Sequence, residues 1–154
     1  MKFAVAAALA VAAIQFSPSH AAAQDAAPAD ARAKDVQTTV EYYYRIRWGS
    51  VGDFVKLYEK NHAPLLEEAK KAGFIVSTKT EFPFTHMAGG VRWDMRVTIV
   101  FRDAAAAIND PAWTAFWEEA TKRLFKDKKK FDEEETRRFS LLEDHWDVIV
   151  VADD

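Results

Sequence analysis

From Thr39 to Trp48 the chain alternates, with Val40, Tyr42, Tyr44, Ile46 and Trp48 against Glu41, Tyr43, Arg45 and Arg47. A period of two places one set on each face of a strand. The period then changes. Val51, Phe54, Val55, Tyr58, His62, Leu65 and Ala69 recur at three- and four-residue steps, the seam of an amphipathic helix. Ser50 through Asp53 predicts a capping box at its start, and Gly73 a left-handed cap at its end. Pro64 lies inside this helix and lacks a backbone donor, so a kink is expected near Lys60 to Ala63.

Alternation resumes from Phe74 to Phe84, where Pro83 suits an edge strand, and again from Val91 to Phe101. Thr85 to Gly90, with the pair Gly89-Gly90, predicts the hairpin loop between them. Asp110-Pro111 is an N-cap followed by proline at the first helical position, and Trp113, Phe116, Trp117, Ala120 and Leu124 form the seam behind it. After the charged run Lys126 to Lys130, Phe131 to Phe139 resumes a helical pattern. There Glu133/Arg137 and Glu134/Arg138 are spaced as pairs on a solvated face. A strand from about His145 to Val151 closes the chain.

The order strand, helix, strand, strand, helix, strand predicts an α+β fold of ferredoxin-like βαββαβ type. Strands one and three take the centre of a four-stranded antiparallel sheet, and the helices cover one face. In this reading Tyr42, Trp93 and Val148 face the helices. Tyr43, Arg45, Arg47, Ser77, Lys79, Glu81, Arg92, Asp94, Arg96, Thr98, His145, Asp147, Ile149 and Val151 share the open face. Such a face is either solvated or the wall between two paired copies.

The N-terminus carries a different signal. Met1-Lys2 precedes an apolar run from Phe3 to Ile14, too short for the ~20 residues of a membrane span. Ser17-Pro18 breaks it and Ala21-Ala22-Ala23 offers small residues to a signal peptidase. Residues 1–23 therefore read as a signal peptide, 24–35 as a tether rich in Ala, Asp and Pro, and 36–151 as the domain, in a periplasmic or secreted protein with no membrane association after cleavage. The formal charge of −3 without a basic run argues against a nucleic-acid partner. The absence of cysteine excludes disulfides and thiolate chemistry.

The element order, the His62-Ala63-Pro64-Leu65-Leu66 step in the first helix and the late His145-Trp146-Asp147-Val148 strand together resemble the dimeric α/β-barrel superfamily. That superfamily includes antibiotic-biosynthesis-type monooxygenases, haem-degrading enzymes, small polyketide cyclases and binding proteins. The resemblance spans roughly Val36 to Val151, and the segment from Lys126 to Phe139 departs from it as an insertion. It implies a homodimer and a site between sheet and helices in each subunit.

Among residues with chemistry, His62 on the apolar seam is either a satisfied core histidine or a general base or haem ligand. His145 and Asp147, two apart on one strand, can address the same space as a proton-transfer pair. Arg45, Arg47, Arg92 and Arg96, beside Tyr43 and Trp48, suit an anionic group, or else pair with neighbouring carboxylates. No metal-ligand spacing occurs. Two functions follow: a small-ligand-binding protein whose ligand is partly apolar with an anionic group, and a cofactor-independent monooxygenase or cyclase. The enzyme would use His62 or His145 as base and Tyr43 or Tyr44 as donor. No cofactor is required, and haem is the one that the resemblance admits.

Overall fold

The computed structural model describes residues 36–151, so the leader, its cleavage site and the tether lie outside the described residues. Strand β1 (Thr38–Ile46) is followed by helix α1 (Val51–Leu57), one π-helical turn (Tyr58–His62) and helix α2 (Ala63–Lys71). Then come β2 (Ile75–Glu81), β3 (Met95–Phe101), α3 (Ala104–Ile108), α4 (Pro111–Leu124), α5 (Lys128–Ser140) and β4 (Leu142–Val150). The sheet order is β2-β3-β1-β4 with every neighbouring pair antiparallel, so β1 and β3 are central, as the ferredoxin-like expectation requires.

The core lies between sheet and helices. Val40, Tyr44 and Ile46 of β1 and Met95, Val97, Ile99 and Phe101 of β3 meet Phe54, Tyr58, Leu66 and Ala69 from the helices. Alternation along β3 is complete, each odd position buried and each even one half-buried. At roughly 1.5–3 kcal/mol for each large apolar side chain buried, this two-layer contact is what makes the domain stable without disulfides.

The kink expected at Pro64 takes the form of the π turn. Pro64 has no N–H to offer the Lys60 carbonyl, and the Ala63 N–H reaches back five residues to the Tyr58 carbonyl. The extra residue swings Tyr58 and His62 toward the sheet. Gly73 ends α2 with φ +79°, a conformation that side-chain-bearing residues rarely adopt. The capping box does not form, because the Ser50 side chain accepts no cap hydrogen bond. Asp110 does cap α4, accepting from the Ala112 N–H at 2.8 Å. The short α3, capped by Asp103 through the Ala106 N–H at 2.7 Å, was not legible as a period because its body is four alanines and an isoleucine.

Three expectations are corrected. The hairpin connection runs from residue 82 to 94, because Asp94 is drawn to the end of β1 and the ladder starts only at Met95. There the Asp94 N–H donates to the Tyr44 carbonyl, and its carboxylate accepts from the Ile46 N–H, each at 2.8 Å. Trp93, released from the ladder, packs edge-on to Tyr43 on the open face and does not face the helices. Strand β4 is turned over relative to expectation. Tyr44 pairs with His145 and Tyr42 with Asp147, so His145, Asp147 and Ile149 lie on the helix side, while Trp146, Val148 and Val150 share the open face with Tyr43. The helices do not extend over this edge strand, so its polar residues sit on the helix side in contact with solvent.

Candidate functional site

Turning β4 over moves the site. A cavity of about 250 Å³ lies between the sheet and the helices. Its floor is Tyr42 and Tyr44 of β1 with Val97, Ile99 and Phe101 of β3; the π turn gives Tyr58 and His62, α4 gives Trp113 and Trp117, and α5 gives Arg138 and Phe139. His145 of β4 and Phe139 are both exposed and stand at the open side. Each contribution has a local cause. The π turn rotates His62 inward, the i,i+4 spacing puts Trp113 and Trp117 on one helix face, and the register brings His145 beside Tyr44.

The walls are mostly aromatic. The His145 ring stacks on Tyr44 at 4.4 Å between centroids, and His62 lies between Tyr58 at 5.1 Å and Trp117 at 5.4 Å. Burial, reinforced by the Arg138 guanidinium and then by His145, lowers the His62 pKa to about 3, so the ring is neutral at physiological pH. Burial likewise raises the Tyr42 and Tyr44 phenols to about 12 and raises Tyr58 as well, which keeps all three as neutral hydroxyls. His145 Nδ1 lies 2.8 Å from the Tyr43 carbonyl. A carbonyl only accepts, so in the neutral ring Nδ1 carries the proton and Nε2 has the lone pair.

The Tyr42, Tyr44 and Tyr58 hydroxyls and both ring nitrogens of His62 are reached from the cavity and make no hydrogen bond to protein among the described residues, whereas the buried side-chain nitrogens without a partner are Arg45 Nε and Arg96 Nε on the open face. Donors and an acceptor thus converge on an apolar space without a protein partner, which is how small-molecule sites are built.

Of the residues expected at the site, His62 and His145 are brought together in this cavity. Asp147 faces the same side of the sheet but does not line it. The remaining set is elsewhere. Tyr43, Arg45 and Arg96 occupy the open face, Arg47 and Trp48 are exposed beyond the end of β1, and Arg92 is buried there. The arginines find carboxylates: Arg45 meets Asp144 at 3.1 Å and Glu143 at 3.7 Å, Arg92 meets Asp94 at 3.0 Å and Glu143 at 3.4 Å, and Arg96 meets Glu81 at 2.7 Å and Glu41 at 3.4 Å. Arg92 also donates to the Ile46 carbonyl and lies 4.4 Å over the Trp48 ring. Three of the four arginines are thus paired with carboxylates, and Arg47 makes no ion pair among the described residues.

Sequence reasoning missed Tyr58, Trp113, Trp117, Arg138 and Phe139 as site residues. The aromatic ones were visible as helix seam. Arg138 was read as half of a solvated pair with Glu134, yet it is buried and bonds Glu135, while Glu134 turns to Lys60 and Asn61. The signal available was Phe139 beside it, one of two aromatics, with Phe131, in a helix of mostly charged residues.

A haem does not fit the cavity as it stands. The free Nε2 of His145 has the arrangement that metal-bound histidines use. The space of about 250 Å³, however, suits a small flat molecule and not a macrocycle, and aromatic rings line its walls.

No family model and no curated protein matches the chain. Solved structures do. The chain superposes with TM-score 0.51 at 7% identity on a dimeric ferredoxin-like protein from an uncultured marine organism, covering 80% of this chain and 96% of that one. A dimeric ferredoxin-like protein of unknown function from Thermobifida fusca gives 0.44 at 10% identity, over 75% and 91% of the two chains. SnoaB, a cofactor-independent oxygenase from Streptomyces nogalater, gives 0.36 at 12%, over 77% and 94%. The fold is therefore the ferredoxin-like α+β fold.

Proposed function

We propose that this is an exported homodimeric protein of the α/β-barrel type that binds a small, largely apolar and flat ligand in the cavity between its sheet and helices. The observation that carries the reading is the set of unpartnered polar groups in aromatic surroundings. The His62 ring and three tyrosine hydroxyls have no hydrogen-bond partner in the protein among the described residues, and a ligand bearing oxygen or nitrogen supplies one. Export rests on the signal-like residues 1–23. Pairing rests on the open face, where Tyr43 stacks on Trp146 at 5.3 Å and Val148 and Val150 remain 44% and 42% exposed, an apolar strip that a second copy would cover. The dimeric neighbours of the same fold agree with it.

A second reading has its own observation. The Tyr43 carbonyl fixes the His145 tautomer, so Nε2 is available to accept a proton from a bound molecule, as a cofactor-independent monooxygenase or cyclase requires.

Native mass spectrometry of the gently purified protein tests the first reading. A dimer carrying one extra mass per subunit, lost when His62→Trp fills the cavity, is the expected result. A bare monomer in both proteins overturns it.

A further inference from the structure

Arg138 is the largest of the fully buried side chains, 2% exposed, and it belongs to α5, the helix by which this chain exceeds the βαββαβ pattern. A guanidinium taken out of water costs several kcal/mol unless its charge and its donors are met. Glu135, one turn earlier, meets part of that need, accepting from Nε at 3.1 Å and from Nη2 at 2.6 Å. The third nitrogen, Nη1, makes no bond to protein among the described residues, and Arg138 lines the cavity.

The other arginines differ in their ion pairs. Arg45, Arg92 and Arg96 each lie within 4 Å of two carboxylates and are less deeply buried than Arg138, although the Nε atoms of Arg45 and Arg96 are buried without a hydrogen-bond partner. Arg138, the most buried, has one. Its guanidinium is also held in place, with its Cζ 4.5 Å from the Phe139 ring centre and 5.6 Å from that of Phe54. A fixed cation that lines an aromatic cavity and keeps one guanidinium nitrogen without a protein partner matches a carboxylate on a flat body, because guanidinium and carboxylate form charge-assisted bonds.

We infer that Arg138 selects the ligand, donating through Nη1 to one oxygen of a carboxylate, and that the ligand class is therefore the aromatic or conjugated carboxylic acids. This rests on the cavity being the ligand site. Glu135 sets the strength of selection because its carboxylate, bonded to Nε and Nη2, offsets the guanidinium charge that a ligand carboxylate would meet. Removing its charge strengthens carboxylate binding, an effect opposite to that of a merely structural pair.

Titration calorimetry of the full mature chain with 2-naphthoate and its uncharged analogue 2-naphthamide tests the inference. The wild type is expected to prefer naphthoate by roughly ten- to a hundredfold, the range of one charge-assisted bond. Arg138→Met is expected to abolish the preference, and Glu135→Gln to increase it severalfold. Equal affinities in the wild type, or a preference that survives Arg138→Met, overturn the inference. If Arg138→Met fails to fold, Glu135→Gln decides, and an unchanged or reduced preference is the contrary result. Binding of the amide without a gain for the acid leaves the cavity as the ligand site and removes only the role of Arg138. Binding of neither removes both.

Discussion

Lowering the pH from 7 to 5 should weaken the fold through His62 alone by about 2 kcal/mol, and His62→Phe should abolish that part of the pH dependence. The sign follows from where the protons go. The unfolded chain binds a proton at His62 with a pKa near 6.5, whereas burial beside Arg138 lowers the folded value to about 3. Between those values the unfolded state holds the extra proton, so stability rises with pH. The contribution is complete above about 6.5 and is lost as the pH falls toward 3. At pH 5 the unfolded ring is almost wholly protonated and the folded ring is not, which gives about 2 kcal/mol relative to pH 7. That figure barely changes for any folded pKa below about 4, because the unfolded value sets it. The window also lies above that in which Glu68, Glu81 and Glu134, all with lowered pKa, give up the stability their ion pairs contribute. Urea denaturation of wild type and His62→Phe at pH 7, 6 and 5 measures the difference directly. Parallel pH profiles for the two proteins would refute a neutral, desolvated His62 and with it the electrostatics assigned to the cavity.

Other consequences are as specific. Tyr58→Phe deletes a cavity-lining hydroxyl that has no protein partner among the described residues, so thermal stability should hold within about 0.5 kcal/mol while 2-naphthamide affinity, read by calorimetry, falls. Asp110→Ala removes the cap on α4 and should cost about 1 kcal/mol in urea denaturation. Gly73→Ala forces a side chain into φ +79° and should cost on the order of 1 kcal/mol by the same assay. Trp146→Glu, placed in the open-face strip beside Tyr43, should turn the dimer into a folded monomer in sedimentation analysis.

The fold was legible because its carriers are strong local signals. Alternation in β1 and β3, the seam of α1 and α2, and the Asp110-Pro111 start fix the element order, and that order leaves one economical right-handed arrangement. The face of β4 was not legible. Polarity alone sends His145 and Asp147 to an open face and Trp146 and Val148 to the core, an inference that holds only where helices cover the strand. Here β4 is an edge beyond the helix layer, so both of its faces are largely exposed and the pairing of Tyr44 with His145 decides the matter. The site was half legible for the same reason. His62 and His145 were singled out, but on opposite sides of the sheet. Pro64 announced a kink without saying that it would be a π turn directing His62 into a cavity. Arg138 was hidden by its neighbours, since in a run of charged blocks only the adjacent Phe139 distinguishes the guanidinium that tertiary packing buries.

The central claim is that the cavity between sheet and helices, and not the arginine-lined open face, receives the ligand. Long-range proton–nitrogen correlation spectra of the histidine rings test it most directly, because His62 and His145 line the cavity while His86 stacks against Trp48 outside it. On titration with 2-naphthamide the account predicts shifts in the His62 and His145 ring nitrogens, with His86 unmoved and His145 protonated at Nδ1 throughout. Unmoved His62 and His145 signals under saturating probe, with shifts confined to the Trp93 and Trp146 indoles of the open face, would contradict it.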